Sequence, residues 1–223
     1  MSTQIQEQTT QQYEDLIQRA QKVSFPTIGH YLEQGFVDPD LRRICGTEKV
    51  VGRAVTVRTT AQDSTYLHHA AGLCEPGDVF VIDTGGDRIH APVGEVLAEA
   101  LKAKGAVAVI VDGVVTDVDE IEATGLAAYA RGTSVLTTKL LGGDGGGHNI
   151  PVVCGGVVVN PGDIVMADRN GVLILAPEKL AEIVDIALQD DAEEPELVEQ
   201  IRAGARLGEL TGASEMVAKL QNP

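Results

Sequence analysis

The stretch VFVIDTGGDRIHAPVGEVLAEALKAKGAVAVIVDGVVTD, residues 79–117, decides the fold. Val79 to Asp83 is an apolar run closed by an acid and preceded by the turn Glu75-Pro76-Gly77-Asp78, which reads as a buried strand. The segment Pro92 to Lys104 places Val93, Val96, Leu97, Ala100 and Leu101 on one helical face and stops at Gly105, and Ala106 to Val111 is a second buried run. Strand, helix and strand in this order form a βαβ unit, and two wholly apolar strands imply a parallel pair covered on both faces. Both strands then run out at one rim, where open α/β sheets collect their ligands.

The flanks extend this core. Arg53 to Thr59 alternates as a half-buried strand does, and a short helix is expected near Tyr66 to Leu73. Another helix is expected near Asp117 to Thr124, followed by strands over Val152 to Leu175 with turns at Asn160 to Asp163 and Arg169 to Gly171. Tyr13, Leu16 and Ile17 put an amphipathic helix at about Gln4 to Lys22, and a short helix from Ile28 to Gln34 would end at Gly35. From Pro177 the chain reads as helical and acidic. The expected organisation is an α/β single domain over 1–223, with a core at about 23–176 and helical extensions at 1–22 and 177–223. Pro76-Gly77-Asp78-Val79 and Pro161-Gly162-Asp163-Ile164 echo one another, either as two similar halves or as one recurrent turn before a strand.

Composition narrows the function. Hydrophobic residues make up 43% of 223, enough for a substantial core, and the formal net charge is −16. Such a field repels nucleic-acid phosphates and anionic membranes, and no run of Lys or Arg opposes it. The polar opening has no basic start followed by an apolar stretch, and the longest apolar run is too short for a bilayer, so a cytoplasmic protein is expected. Cys45, Cys74 and Cys154 match no zinc or redox spacing.

Candidate chemistry gathers at the rim. The first N–H groups of the helix, around Gly94, Glu95, Val96 and Leu97, lack intrahelical partners and can hold a carboxylate. Gly94 would let a substrate approach the backbone, or would serve tight packing alone. Glu95 and Asp117 supply oxygen donors for a hard cation such as Mg²⁺ or Mn²⁺. Alternatively Thr116 caps a helix whose dipole Asp117, Asp119 and Glu120 complement. The glycine-rich Gly142 to Gly147 lacks a P-loop's lysine and reads as a mobile loop. His68 and His69 are adjacent, and one of them can reach the pocket; His90 and His148 are isolated and their roles stay open.

The ordered set Gly94-Glu95-Val96-Leu97-Ala98, Val111-Asp112-Gly113-Val114-Val115-Thr116-Asp117, Gly155-Gly156-Val157, Pro161-Gly162-Asp163 and Ala167-Asp168 resembles the RraA-like family. That family includes 4-hydroxy-4-methyl-2-oxoglutarate aldolases and the regulator of ribonuclease activity A. The resemblance covers about Val23 to Ala176. It implies a β/β/α swivelling-type, phosphohistidine-domain-like fold in homotrimers or hexamers with sites between subunits. It implies that Gly94 to Leu97 bind a small oxo-acid, that Asp117 binds Mg²⁺ or Mn²⁺ with Glu95 nearby, and that a neighbouring subunit lends an acid, Glu193 or Glu194. The implied reaction is a retro-aldol cleavage or a decarboxylation of oxaloacetate; a non-catalytic regulator, or another metal-dependent reaction, is the alternative. The resembling aldolases usually carry arginine just before the metal-binding acid, where this chain has Thr116. Threonine keeps a hydroxyl but lacks the positive fork, so either Arg88 reaches in to compensate or the substrate carries a neutral or bulkier group where the carboxylate usually lies.

Overall fold

In the computed structural model, which describes residues 2–46 and 49–221, the deciding stretch folds as β3 (Asp78–Asp83), α4 (Glu95–Ala103) and β4 (Ala108–Asp112). Two further units of the same kind flank it. β2 (Val50–Arg58) leads through α3 (Thr65–Ala71) into β3, and β4 leads through α5 (Val118–Thr124) into β5 (Ala127–Ala130). The pairs β2–β3, β3–β4 and β4–β5 are all parallel. Alternation along the strands serves both faces. Phe80, Ile82, Val109, Val111 and Ala128 pack under Leu67, Leu97, Leu101 and Ile121 of the three helices. Val79, Val81, Ala108, Ile110 and Tyr129 face the other way, onto Val37, Leu41, Val152, Cys154 and Val159.

That second face is covered by a hairpin of β7 (Val152–Cys154) and β8 (Val157–Val159), giving the expected β/β/α layering. The main sheet is completed by β1 (Arg42–Cys45) against β5, by β9 (Ile164–Asp168) against β2 and by β10 (Gly171–Leu175) against β9, all antiparallel. The two-residue β6 (Gly147–His148) pairs with the end of β2. The helical extensions pack on this added wing. Leu16 and Ala20 of α1 (Ser2–Ala20), Phe25 and Ile28 of α2 (Phe25–Ile28), and Leu180, Ile183 and Val184 of α6 (Pro177–Arg202) enclose Val51, Ile164, Met166 and Leu173. Beyond α6, the short α7 (Leu207–Leu210) and α8 (Ala213–Gln221) run to the end of the described chain. Among the described residues no helix is long and apolar enough to cross a membrane.

The Pro-Gly-Asp echo is one local solution used twice. Gly77 and Gly162 sit at φ +87° and +89°, the left-handed position that a turn with proline before it demands. Asp78 accepts the Glu75 N–H and Asp163 accepts the Asn160 N–H, each at 2.8 Å. The turns start β3 and β9, which flank β2 on its two sides.

Two helix boundaries differ from expectation. The short second helix spans Phe25–Ile28, before the expected segment, because Phe25 and Ile28 bury against the wing. The site helix starts at Glu95, not near Pro92, because Ala91 and Val93 are buried in extended backbone that bridges to Thr137 and Val115. Its buried residues are Leu97, Ala98 and Leu101, while Val96 is 76% exposed.

Acids at the carboxyl ends of the parallel strands tie the layers together. Asp83 takes Arg58 at 2.9 Å and the Val153 N–H at 3.3 Å. Asp112 takes Arg131 at 2.5 Å and the Gly155 N–H at 2.7 Å, and the same guanidinium reaches Asp38 at 2.8 Å. The Arg131 side chain is only 7% exposed, so removing it leaves Asp112 desolvated without its cation. Arg131→Ala is therefore expected to cost about 3 kcal/mol of stability, read as a lower denaturant midpoint with an unchanged slope.

Candidate active site at the strand rim

Past Asp112 the chain does not turn at once into α5. Around Val115 the chain stays in bridged, strand-like form: Val115 bridges in parallel to Val93 on one side and to Thr133 on the other. The Thr116 N–H donates to the Val93 carbonyl at 2.9 Å, and Ser134 N–H to the Val115 carbonyl at 2.9 Å. This small parallel layer above the sheet carries Gly94 and Glu95 alongside Thr116 and Asp117.

Asp117 then adopts φ 51° and ψ 49°, left-handed backbone that few side chains other than Asn and Asp visit. The turn throws its carboxylate back over the start of α4. Oδ2 accepts the Glu95 N–H at 3.1 Å, and Oδ1 accepts the Thr116 hydroxyl at 3.1 Å. A Cβ on Gly94 would lie 2.4 Å from Oδ2, so only glycine admits the carboxylate here. Asp119 and Glu120 lie in the first turn of α5, as a dipole complement requires, but the capping part of that reading does not hold. Asp117 occupies the cap position of α5 but makes no side-chain cap to it; its side chain serves α4 instead. Thr116, whose hydroxyl engages Asp117, is not that helix's cap either.

These groups line a pocket of about 210 Å³ with Ser64, His68, Ala91, Pro92, Val96, Leu97 and the segment Thr137 to Leu140. The structure thus brings together Gly94, Glu95, Val96, Leu97, Thr116 and Asp117. The Val96 and Leu97 N–H groups, in the first turn, have no partner within the helix. Arg88 does not line the pocket: it sits exposed in the preceding loop, near enough to Asp38 to help hold that carboxyl below its ordinary range, after the Asp40 N–H and Arg131. His90 is engaged by Asp87, Nδ1 to Oδ2 at 3.1 Å, and His69 stacks edge-on against His148 with ring centres 5.5 Å apart. Glu193 and Glu194 line a separate groove with Ser24, Thr27 and His30.

Sequence reasoning missed Ser64 and Lys139, which have no motif around them. The glycine-rich segment is tied down at its start. The carboxylate of Asp63 accepts the N–H groups of Leu141 at 3.1 Å and Gly143 at 2.7 Å, and the Gly142 N–H donates to the Thr65 hydroxyl at 3.0 Å. The first amides of the segment are therefore engaged within the protein and are not held open as a phosphate cradle.

The residues 25–174 match the RraA-like (Aldolase/RraA) family model. A rim site on a β/β/α scaffold is the class of protein that fold and pocket define, and the chain belongs to the RraA-like family. A protein of Halalkalibacterium halodurans named "Putative 4-hydroxy-4-methyl-2-oxoglutarate aldolase" is 31% identical over 66% of this chain and 69% of its own length. RraAS2 of Streptomyces coelicolor, described as an unusual member of the RNase ES inhibitor RraA family, superposes with a TM-score of 0.70 at 26% identity, covering 83% of this chain and 96% of that one. The RNA-processing inhibitor RraA of Thermus thermophilis gives 0.62 at 25% identity, over 69% and 92%.

The Asp63 carboxyl lies well below its ordinary range, first because of the Thr65 hydroxyl and then because of the Leu141, Thr65 and Gly143 N–H groups. A depressed carboxyl contributes stability that is present above the unfolded value and lost as pH falls through the folded one. Wild type is expected to lose thermal stability as pH drops below about 4, and Asp63→Asn to show a shallower loss; parallel curves would contradict this role.

Proposed function

We propose that this pocket is the active site of a divalent-metal-dependent carbon–carbon lyase acting on a small oxo-acid of the 4-hydroxy-4-methyl-2-oxoglutarate or oxaloacetate type. The observation that carries the proposal is the Asp117 carboxylate laid over Gly94, where no side chain intervenes, onto the Glu95 N–H. The names of the matching relatives support the same reaction class.

The donor set fits Mg²⁺ or Mn²⁺. Asp117 is exposed and oriented by two hydrogen bonds, Glu95 is exposed beside it, and both offer only oxygen. Among the described residues no group of three or more His, Cys, Asp or Glu converges, which suits a cation that keeps much of its coordination for water and substrate. When bound, such an ion supplies Lewis-acid polarisation of the oxo-acid oxygens. The protein's own part is positional. Asp117 and Glu95 would hold the cation, while the Val96 and Leu97 N–H groups face oxygens on which charge develops as the carbon–carbon bond breaks. Ala91 and Leu97 give the pocket a buried apolar floor that limits water. The Thr116 hydroxyl already donates to Asp117, so it steadies the acid and does not replace an arginine's grip on substrate.

Exposed apolar side chains lie among the pocket's lining: Val96 is 76% exposed and Leu140 62%. Exposed apolar groups gathered at one place mark contact surfaces, and they support a homotrimer or hexamer in which a second copy covers the opening. A protein-binding regulator is the second reading, favoured by the inhibitors among the similar structures and by Thr116.

The deciding assay is pyruvate release from oxaloacetate and from 4-hydroxy-4-methyl-2-oxoglutarate with Mg²⁺, Mn²⁺ or EDTA. Wild type is expected to turn over only with metal and Asp117→Ala not at all. Thr116→Arg should be faster, by up to about 10² if the added fork acts as a preorganised donor. Activity that survives Asp117→Ala would refute the site, and silence from all variants, with chelator-insensitive capture of a stoichiometric protein partner, would establish the regulator.

A further inference from the structure

The pocket is divided by charge. Its Asp117 and Glu95 wall is acidic, and the whole chain carries a formal net charge of −16, so an anionic substrate must find its counter-charge locally. Among the lining residues only His68 and Lys139 can be cationic. Neither the His68 ring nor the Lys139 ammonium has an ion-pair or hydrogen-bond partner among the described residues, whereas Arg53, Arg58 and Arg131 are all engaged by acids.

Both residues spring from one rigid corner. Ser64, 1% exposed, accepts the His68 N–H on its carbonyl at 3.0 Å and donates its own N–H to the Lys139 carbonyl at 3.0 Å. Its hydroxyl takes the Thr138 hydroxyl at 2.8 Å, and the Lys139 N–H donates to Gln62 at 2.8 Å. Asp63, the next residue, clamps Leu141 and Gly143 on the far side. A buried serine and a buried carboxylate thus fix the backbone from which two unpartnered basic side chains enter a small pocket.

Resting on the lyase reading, we infer that His68 and Lys139 form the anion-binding wall of this site and receive the distal carboxylate of a dicarboxylic oxo-acid, whose 2-oxo-acid end lies at Asp117. The positive counterpart that Thr116 cannot provide has moved across the pocket, onto the corner between α3 and the 137–140 segment. Substrate choice therefore turns on a second anionic group and not on the oxo-acid end alone.

Two stable probes separate the ends: 2-oxoglutarate carries the distal carboxylate and 2-oxobutyrate lacks one. Calorimetric titrations with Mg²⁺ would compare the full-length wild type with His68→Gln, Lys139→Met and Lys139→Arg, with circular dichroism confirming each fold. Wild type is expected to prefer 2-oxoglutarate. His68→Gln and Lys139→Met should each lose about tenfold in affinity for it, the worth of one charge-assisted hydrogen bond. Their affinity for 2-oxobutyrate should be unchanged, and Lys139→Arg should keep the preference. Binding of both acids without discrimination, or equal weakening of both by the neutral variants, overturns the wall and leaves the lyase reading standing. A wild type that binds neither acid overturns both.

Discussion

Everything at the rim follows from a carboxylate placed against backbone that has no side chain. Asp117 accepts the Glu95 N–H across a gap in which a single methyl on Gly94 would sit 2.4 Å from the oxygen. The contact has a cost, since Asp117 stands in left-handed backbone, and such strain persists only where the surroundings over-determine it. Those surroundings are the parallel bridges of Val115 to Val93 and Thr133, which fix the chain just before Asp117 and the start of α5. Backbone strain, glycine and acid form one device, and none of the three has a purpose without the others.

The sheet beneath makes that device rigid. Parallel strands end together by construction, so Asp83 and Asp112 stand in register at the same edge. Each accepts both an arginine and an N–H of the β7–β8 stretch, Asp83 on one oxygen and Asp112 on two, which locks the second β-layer to the rim. Buried ion pairs of this kind add little net stability because desolvation offsets the attraction, but they penalise any other arrangement of the strands they join. The layers cannot slide without stranding a charge. Asp63 repeats the principle on the other side of the pocket with hydroxyl and amide donors in place of arginine.

Much of this was legible in the chain. Val79 to Asp83 and Ala106 to Val111 are uninterrupted apolar runs separated by a helical period, and only a covered parallel pair satisfies both. Gly94, Glu95 and Asp117 could be placed at one rim because they follow the strand ends directly. What escaped depends on partners remote in sequence. Pro92 is compatible with a first helical turn or with extended backbone, and the choice is made by Val115 and Thr137, which no local pattern reveals. The glycines of 142–147 carry no hint that Asp63, some 80 residues earlier, takes the Gly143 amide. Lys139 carries no signal in a neutral stretch, and becomes notable only when Ser64 sets it beside His68.

The central claim is that Gly94 exists so that Asp117 can present its carboxylate for the proposed cation. The most direct measurement is a Mn²⁺ titration followed by electron paramagnetic resonance on wild type, Gly94→Ala and Asp117→Ala, with circular dichroism as the control for folding. The account predicts one tight site in wild type, no such site in Asp117→Ala, and in a folded Gly94→Ala an affinity close to that of Asp117→Ala, because the added methyl evicts the carboxylate. A Gly94→Ala protein that binds Mn²⁺ as wild type does would contradict it.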